Sequence, residues 1–323
     1  MAYEVSGMSG LKRAGILAAT VILMLGGCSA GEKKQETDPE KVEAKVCAYL
    51  RKNVQDPVSY SVGGEWTVMA LARSKEGITE NYKQLYLKNL KKKVEEKQGI
   101  LSDSRYTEYA RVVLALTSVK EDPKNFDTYN FLEPINDYDN VIAQGLNGAA
   151  YALIALDSGN YESSEREAYR EYLCSMELSG GGFALDEKTE EPEADATAIV
   201  IQALAPYQED AEIKAVIDRG IKVLSGLQET NGKYISFEEE GSETVSQIIL
   251  ALSALGIDCR NDADFEKDGK QLYDILLSYQ NADGSFSHNS NGESDQMATE
   301  QAACALDAYV RYLNGEASFY SMS

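Results

Sequence analysis

The sequence predicts an all-α fold in which six apolar inner helices are surrounded by six amphipathic outer helices. Two observations lead to this prediction. First, six short stretches rich in Ala and other apolar residues recur at spacings of roughly 40 to 54 residues, as in arrays of helical hairpins. Second, more highly charged stretches with apolar residues at helical spacing lie between them.

The candidate inner helices can be aligned on a leucine near the end of each apolar stretch. The aligned positions are Leu71, Leu116, Leu156, Leu204, Leu252 and Leu306. The third stretch, 150–156, is typical and reads Ala-Tyr-Ala-Leu-Ile-Ala-Leu. Because a helix that is apolar on nearly every side belongs in a core, we expect all of these helices to be buried.

The candidate outer helices are longer and more polar. They occupy 41–53, 79–97, 163–177, 211–228 and 265–280. The stretch 123–135 is a poor helix former, but it lies where the remaining outer helix is needed. In 211–228 the pattern is clearest, since Ile213, Val216 and Ile217 fall at helical spacing with Lys214 and Asp218 between them.

A seven-residue signature joins several outer helices to the inner helices that follow. It consists of Gln, three residues, Gly, one residue and an aromatic, and it appears at 228–234 and 280–286. A weaker copy at 177–183 begins with Glu. The glycines, Gly232 and Gly284, can end a helix in the left-handed conformation. We expect the aromatic to wedge between hairpins and the Gln to satisfy backbone groups at a helix end.

These motifs resemble those of the α/α-toroid superfamily, which has the repeat of prenyltransferases and squalene cyclases. The signature copies and the helix starts Asp195-Ala-Thr-Ala198 and Thr299-Glu-Gln301 carry the resemblance. It implies an (α/α)6 toroid, a barrel of six inner and six outer helices, over residues 41–323. The superfamily also contains non-enzymatic cobalamin carriers and the thioester domains of the complement type, so the fold by itself does not choose a function.

The resemblance to terpenoid cyclases draws attention to Asp195. Cyclases that protonate an alkene or epoxide carry Asp-x-Asp-Asp-Thr-Ala at this place, and here the frame reads Glu193-Ala-Asp195-Ala196-Thr-Ala. If the protein is an enzyme, Asp195 is the candidate proton donor and Glu193 its acidic neighbour. Ala196 replaces the third acid, on which the pKa of the donor depends. The alternative is that Asp195 only caps its helix or favours the helix dipole.

The other reactive versions of this fold lack essential residues here. Protein prenyltransferases hold zinc with Asp, Cys and His, but His288 is the single histidine and no cysteine lies near it at ligand spacing. Thioester domains carry Cys-Gly-Glu-Gln at the start of an inner helix. The corresponding residues here, 298–301, read Ala-Thr-Glu-Gln, so Ala298 stands in place of the reactive cysteine. We therefore assign no metal and no cofactor.

The N-terminus predicts a bacterial lipoprotein. Residues 1–27 read as a signal peptide with an apolar run too short to span a bilayer, and Leu25-Gly-Gly-Cys28 resembles a lipobox. Cys28 is then the lipidated residue, 28–40 form a flexible tether, and the domain lies on the extracytoplasmic face of the cell membrane. The net charge of −22 disfavours nucleic acid, so contact with the membrane is expected through the N-terminal lipid only.

The remaining cysteines are expected to be free thiols. They are Cys47, Cys174, Cys259 and Cys304. Most of them fall within predicted helices, where small buried thiols are common. A bridge between Cys47 and Cys304 stays open as an alternative, because the first and last repeats of a ring must meet.

Polar residues interrupt the inner helices at one position. Five residues before each aligned leucine stand Trp66, Arg111, Tyr151, Ile199, Gln247 and Gln301. Gln144, Asn147 and Tyr151 also share one face of the third inner helix. Buried polar groups need partners, and in a toroid a ligand in the central cavity is one such partner. The candidate ligand-binding residues are therefore Trp66, Arg111, Tyr151, Gln247 and Gln301, unless these groups satisfy one another.

The prediction that follows is a lipid-anchored extracellular binding protein rather than an enzyme. The expected ligand is a small molecule or a segment of a partner protein, held in or over the central cavity. The alternatives are a divergent terpenoid-cyclase-like enzyme that uses Asp195, and a structural or adhesion module whose cavity is filled by its own side chains. The links between outer and inner helices are rich in acidic residues. These acids either stabilise the N-termini of the inner helices through the helix dipole or give the mouth of the ring a negative charge that attracts cations.

Overall fold

The structure is a computed structural model that describes residues 36–59, 62–185, 188–236, 239–290 and 292–323. From Glu36 onward the chain forms one compact unit. The first half contains α1 (Pro39–Asn53), α2 (Glu65–Arg73), α3 (Glu80–Glu96), α4 (Thr107–Ser118), α5 (Leu132–Ile135), α6 (Tyr138–Ala143) and α7 (Leu146–Ser158). The second half contains α8 (Arg166–Ser175), α9 (Ala194–Leu204), α10 (Ala211–Leu227), α11 (Ser242–Leu255), α12 (Leu272–Leu277) and α13 (Gln296–Leu313).

The inner helices form a closed ring, as the sequence predicts. In order around the ring they are α2, α4, α7, α9, α11 and α13, each of which packs on the next, and α13 packs back on α2. Their side chains are buried almost throughout; in α7, for example, Ala149, Leu153 and Leu156 have no exposed surface. A helix in this ring touches neighbours on both sides and an outer helix behind, which is why it is apolar nearly all round.

The outer helices lie against the ring with one face buried. In α10, Ile213, Val216 and Ile217 are buried on the ring side. Lys214 and Asp218 are exposed and form an ion pair one helical turn apart, at 2.7 Å. The helix starts where the Asp210 side chain accepts hydrogen bonds from two backbone amides of the first turn. The amphipathic pattern therefore predicts both the helix and its orientation.

Two predicted outer helices are wrong in extent. The segment 265–280 is helical only over α12, because Asp268 and Gly269 adopt positive φ and make a tight turn after Phe265. The segment 123–135 contains a tight turn at Asp127, which also has positive φ, and the outer layer is completed by α5 and α6 instead. In both places an Asp in the left-handed region interrupts the helix.

The seven-residue signature works largely as predicted. Its glycines adopt positive φ, with +87° at Gly181, +87° at Gly232 and +101° at Gly284. The aromatic residues of the signature, Phe183, Tyr234 and Phe286, are fully buried. The glycine turn thus reverses the chain and drives an aromatic ring into the core between hairpins.

The first residue of the signature plays a different part in each copy. The Gln228 side chain donates a hydrogen bond to the Gly232 carbonyl at 2.9 Å, which closes its own turn. The Nε2 atom of Gln280 is buried without a partner. Glu177 forms a two-bond ion pair with Arg219 of the neighbouring outer helix, both at 2.6 Å. The predicted role therefore holds for Gln228 alone among these copies.

Two inner helices hold the buried aromatic with a threonine. The Thr197 hydroxyl accepts a hydrogen bond from the Phe183 amide at 3.0 Å, and the Thr299 hydroxyl accepts one from the Phe286 amide at 2.9 Å. These bonds tie the turn to the first part of α9 and of α13. The threonines of the two motifs that carry the family resemblance are therefore structural.

The cysteines after Cys28 are free thiols and form no disulfide with one another, as the sequence predicts. Burial raises the pKa of the Cys47, Cys259 and Cys304 thiols well above the ordinary value, so they are protonated and unreactive. The predicted signal peptide, the lipidation site and most of the tether lie outside the described residues. Within the described part, no helix combines the length and apolarity needed to cross a bilayer.

We predict that Gly284→Ala destabilises the fold by about 1–3 kcal/mol. The φ of +101° is unfavourable for alanine, and an added Cβ would lie 2.8 Å from the Lys45 carbonyl oxygen. Urea denaturation followed by circular dichroism measures the change. Gly226→Ala in α10 is the matched control, since a Cβ there meets nothing within 4 Å. Equal stability of the two variants would contradict a structural role for the signature glycine.

Candidate functional site

The candidate site is a cavity at the end of the ring where outer helices connect to inner helices. Because the inner helices run in the same direction, their N-termini meet at this end, which we call the mouth. A cavity of about 420 Å³ opens there. The inner helices contribute Asn147, Tyr151, Asp195, Ile199, Thr244, Gln247, Met297 and Gln301, and the links contribute Ser236, Glu239, Gly241 and His288, with Glu243 from the first turn of α11.

The structure brings three of the predicted ligand-binding residues together. Tyr151, Gln247 and Gln301 line the mouth cavity, as does Ile199 of the same column. Asn147, one turn before Tyr151, also lines it, and its buried Oδ1 has no hydrogen-bond partner. A buried acceptor without a partner is costly, and a ligand group that donates to it would remove the cost.

Trp66 and Arg111 are not among the residues that line the mouth cavity. The Trp66 ring meets the Tyr151 ring edge to face, with centroids 5.9 Å apart. The Nε atom of Arg111 is buried without a hydrogen-bond partner. Trp66 therefore packs against one of the residues that line the cavity, and the ligand contacts expected of Trp66 and Arg111 stay a prediction. Gln144 precedes α7 instead of sharing its face, and its side chain exchanges hydrogen bonds with Thr107.

The glutamines of three successive inner helices form a ladder of amides across the hub. Gln202 Nε2 donates to both the backbone oxygen and the Oε1 of Gln247, each at 2.9 Å. Gln247 Nε2 in turn donates to Gln301 Oε1 at 2.9 Å. The alternative that the polar column satisfies itself therefore holds in part. Since the ladder fixes the orientation of Gln301, its amide nitrogen remains as a donor at the mouth.

Asp195 lies in the first turn of α9 and lines the cavity, but it does not cap the helix. The N-cap residue is Glu193, which makes no side-chain cap. Asp195 Oδ2 accepts hydrogen bonds from the Ser236 hydroxyl at 2.8 Å and the Thr244 hydroxyl at 3.1 Å. Burial raises the pKa of Asp195, while these two hydroxyls partly oppose the rise.

Glu193 does not form a catalytic pair with Asp195. Its Oε2 accepts a hydrogen bond from the Leu185 amide at 2.9 Å, which ties down the link before α9. Its charge contributes only a small rise in the pKa of Asp195. The arrangement of adjacent acids that keeps a cyclase donor strongly acidic is thus not reproduced by Glu193.

A histidine and two glutamates form the rim of the cavity, and their contact leaves no signal in the sequence. His288 Nδ1 lies 2.9 Å from Glu243 Oε2, and His288 Nε2 lies 3.7 Å from Glu239 Oε2. Burial lowers the pKa of His288, but the hydrogen bond and charge of Glu243, with Glu239 and Asp295, raise it overall. Sequence reasoning also misses the serine and threonine that bind Asp195, since such residues carry no pattern typical of binding.

The mouth is an acidic and neutral hydrogen-bonding site. The charged side chains that line it within the described residues are Asp195, Glu239, Glu243 and His288, without lysine or arginine. Its other polar groups are amides and hydroxyls. Such a site favours ligands that are neutral or cationic and that carry hydrogen-bonding groups.

The C-terminal segment packs across the opposite end of the ring. The Met322 amide donates to the Ser158 carbonyl at 2.8 Å, and Arg73 donates to the Ser318 and Ser321 carbonyls at 3.0 Å. The hydroxyl of Tyr320 is buried in the hub without a partner. A second cavity, of about 440 Å³, lies at this end between the C-terminal segment and the inner helices, and Gln202 of the amide ladder lines it.

Another cluster of potential metal ligands lies away from the mouth, between α1 and α13. Ligand atoms of Glu43, Cys47 and Asp307 lie within 4.8 Å of one another, and all three residues are buried. Burial first, and Glu43 second, raise the pKa of Asp307 well above its ordinary value. The raised pKa favours the protonated form of Asp307, which is a poor metal ligand, so we assign no metal to this cluster.

Comparison with known proteins agrees with the fold. A model of the prenyltransferase alpha-alpha toroid domain matches residues 146–316, which is more than half of the chain. Among curated proteins, none matches this chain.

Solved structures give the same architecture. The unsaturated glucuronyl hydrolase from Bacillus sp. GL1, responsible for the degradation of glycosaminoglycan, is similar with a TM-score of 0.57 and 11% identity, over 88% of this chain and 98% of the hydrolase. A UGL variant with dGlcA-Glc-Rha-Glc gives a TM-score of 0.59 at 11% identity, over the same shares. At this identity the likeness concerns the fold alone.

We predict that stability falls as pH rises from about 5 to 8, by linkage of folding to proton binding. The pKa values of buried Asp195, Asp307 and Glu300 are raised by burial, and that of His288 is raised by its glutamates. Each group therefore binds more protons in the folded state than in the unfolded state: the acids above pH about 4, and His288 above about 6.5.

Thermal unfolding at a series of pH values tests this prediction. Asp195→Asn should make the fall in Tm shallower because it removes one of the linked groups. Asp218→Asn, at an exposed position of α10, should leave the slope unchanged. A Tm that rises between pH 5 and 8 would show that the buried acids do not control stability.

Proposed function

We propose that this chain, which belongs to the prenyltransferase alpha-alpha toroid domain family, is a binding protein that holds a small polar ligand at the mouth of its toroid. The observation that carries the proposal is a buried, unsatisfied acceptor that faces a cavity lined by other hydrogen-bonding side chains. Asn147 Oδ1 lacks a partner, and Tyr151, one turn further along α7, lines the same cavity. Gln301 is held in place by the amide ladder.

The chemistry of the mouth supports a ligand that is neutral or cationic. Asp195, Glu239 and Glu243 supply acceptors, and the amides and hydroxyls supply both donors and acceptors. An anionic ligand would have to approach three carboxylates with only His288 to compensate. The volume of about 420 Å³ suits a small molecule, within the usual range of ligand pockets.

Binding without catalysis is the better supported role. Asp195 is held by two hydroxyls and lacks an acidic neighbour free to tune it, since Glu193 binds the Leu185 amide instead. The enzymatic alternative rests on one observation, the raised pKa of a cavity-facing acid. The hydrolase of similar fold is named for glucuronyl groups, which are anionic, and the acidic mouth of this chain disfavours such groups.

The cellular address remains part of the proposal. The lipobox-like Leu25-Gly-Gly-Cys28 supports a lipid anchor at Cys28 and a domain on the extracytoplasmic face of the membrane. A tethered binding protein at that face would capture its ligand outside the cell. The proposal involves no cofactor and no nucleic acid.

We predict that Tyr151→Phe weakens ligand binding about 3- to 10-fold, the equivalent of one neutral hydrogen bond. The full chain would be dialysed against a defined mixture of neutral polyols, amines and carboxylates, and the retained compounds would be measured by mass spectrometry. We expect enrichment of neutral or amine compounds that is reduced in the variant.

Tyr169→Phe is the matched control. The buried Tyr169 hydroxyl donates to the Ile135 carbonyl at 2.8 Å and does not line the mouth cavity, so this change should lower stability and leave binding intact. Enrichment confined to carboxylates, or enrichment that does not depend on Tyr151, would refute the proposed site. Conversion of a retained compound by the wild type, abolished by Asp195→Asn in a folded protein, would favour the enzyme.

A further inference from the structure

The second cavity of the ring, which we call the far cavity, lies under the C-terminal segment. One wall comes from the C-terminal halves of α7, α9 and α11, which contribute Ile154, Gln202, Ala203, Leu250 and Ala254. Residues 318–321 of the C-terminal segment form another wall. None of the residues that line the far cavity also lines the mouth cavity, so the two are separate spaces.

The walls that belong to the core are largely apolar. Ile154, Leu250 and Phe319 line the far cavity and are each 3% exposed. Pro206 and Glu209, at its border, are exposed, so the cavity is open to solvent. Apolar walls of this kind favour a ligand that buries apolar surface.

The side-chain amide of Gln202 has a fixed orientation. Its Nε2 donates to the backbone oxygen of Gln247 at 2.9 Å, and a backbone carbonyl can only accept. The nitrogen and the oxygen of this amide therefore cannot exchange places. Gln202 is 5% exposed, and its Oε1 is buried with no hydrogen-bond partner among the described residues. Because Gln202 lines the far cavity and not the mouth cavity, a donor for this oxygen has to come from the far cavity.

A tyrosine of the C-terminal segment brings another unsatisfied group to the far cavity. Tyr320 lines it, and the Tyr320 hydroxyl is buried without a partner in the described part of the chain. Burial raises the pKa of this hydroxyl well above its ordinary value, so it keeps its proton. The segment is anchored, because Arg73 donates to the Ser318 and Ser321 carbonyls at 3.0 Å. The far cavity therefore has a fixed wall with a free hydrogen-bonding group.

The charged side chains of the far cavity do not select a charged ligand. Asp157 lines it, but its carboxylate already accepts hydrogen bonds from Arg166 at 2.8 Å and from the Tyr207 hydroxyl at 2.8 Å. Glu209 is exposed, so water and salt screen it. The described residues that line the cavity include no lysine or arginine. Since burying an ion without a partner is costly, an uncharged ligand fits best.

We propose that the far cavity is a second binding site, which takes a small, uncharged and largely apolar molecule with one hydrogen-bond donor. The apolar part of the molecule packs against Ile154, Leu250 and Phe319, and its donor binds Gln202 Oε1. A single water would satisfy this oxygen but would fill only a small part of about 440 Å³. The volume is within the usual range of ligand pockets. The site goes beyond the proposed mouth site because its walls select a different chemistry.

The test uses naphthalene probes that share one ring system and differ in a single group. Naphthol carries a donor, methoxynaphthalene lacks it, and naphthoate and naphthylmethylammonium carry opposite charges. Ligand-observed NMR titration would measure the binding of each probe to the full chain. We expect naphthol to bind about 3- to 10-fold more tightly than methoxynaphthalene, the equivalent of one neutral hydrogen bond, and more tightly than either charged probe. Absence of naphthol binding, or a charged probe that binds as tightly, would overturn the proposal.

Gln202→Met tests the acceptor, because it removes the oxygen and nearly keeps the length of the side chain. The preference for naphthol over methoxynaphthalene should disappear in this variant. The ratio of the two affinities is the informative quantity, since a merely loosened cavity would weaken both probes alike. A preference that persists in folded Gln202→Met protein would refute Gln202 as the acceptor.

Ala254→Phe tests the location, because Ala254 is half-buried in the cavity wall and a larger side chain there occupies the space of the ligand. It should abolish naphthol binding. Ala215→Phe is the matched control, at a half-buried position of α10 that does not line the far cavity, and should retain binding. Circular dichroism would verify that both variants fold. Naphthol binding that survives Ala254→Phe, or that both variants lose equally, would overturn the proposal.

The far site and the mouth site can fail independently. Tyr151→Phe, which changes the mouth, should leave naphthol affinity unchanged. Ala254→Phe should leave the enrichment of neutral and amine compounds at the mouth unchanged. Loss of naphthol binding in Tyr151→Phe protein would assign the probe to the mouth and refute the far site.

Discussion

The structure depends on closing the ring between its last inner helix and its first. No covalent bond joins these elements, so α13 must find α1 and α2 through packing and buried polar contacts. Glu300 of α13 is fully buried and accepts hydrogen bonds from the Gly63 amide, at 2.8 Å, and from the Thr67 hydroxyl. Further along α13, Asp307 is buried against Glu43 of α1. Burying an acid is costly, and hydrogen bonds such as those that Glu300 accepts offset part of that cost. We infer that they fix which helix closes the ring and in what register.

The closing helix also explains why a reactive motif survives here without its reaction. Thr299, Glu300 and Gln301 occupy a frame in which thioester domains place a reactive sequence, and Ala298 stands where the cysteine would be. Each retained residue has a structural task in this chain. The Thr299 hydroxyl binds the amide of the buried Phe286. Glu300 binds the Gly63 amide and so joins α13 to the link before α2, and Gln301 ends the amide ladder at the mouth. Three successive residues of α13 thus hold the glycine turn, join α13 to the segment around α2, and line the cavity. The shape of the mouth therefore depends on correct closure of the ring.

The sequence predicted the ring well and the site only in part, for physical reasons. Helical spacing is local, so α10 could be placed to within a residue, and the glycine turns could be predicted because few residues adopt positive φ. The shortened α12 was missed because Asp268 and Gly269 form a turn inside an otherwise helical pattern. The partners of Asp195 were missed because Ser236 and Thr244 are some 40 to 50 residues away in sequence and meet it only through ring geometry. Long-range contacts between ordinary polar residues leave no periodic signal.

The two ends of the ring differ in the chemistry of the groups that they present. At the far end the links are tied down by the C-terminal segment, and Tyr320 places its buried hydroxyl in the hub. At the mouth the helix N-termini converge, and their partial positive charge makes acidic side chains there less costly than elsewhere. The acids that favour the helix starts therefore also create a negative entrance with hydrogen-bonding walls. The potential at such an entrance is more favourable for cations and neutral hydrogen-bonding groups than for anions. The position of the cavity and its acidic character are thus consequences of one arrangement, the parallel inner helices of a closed ring.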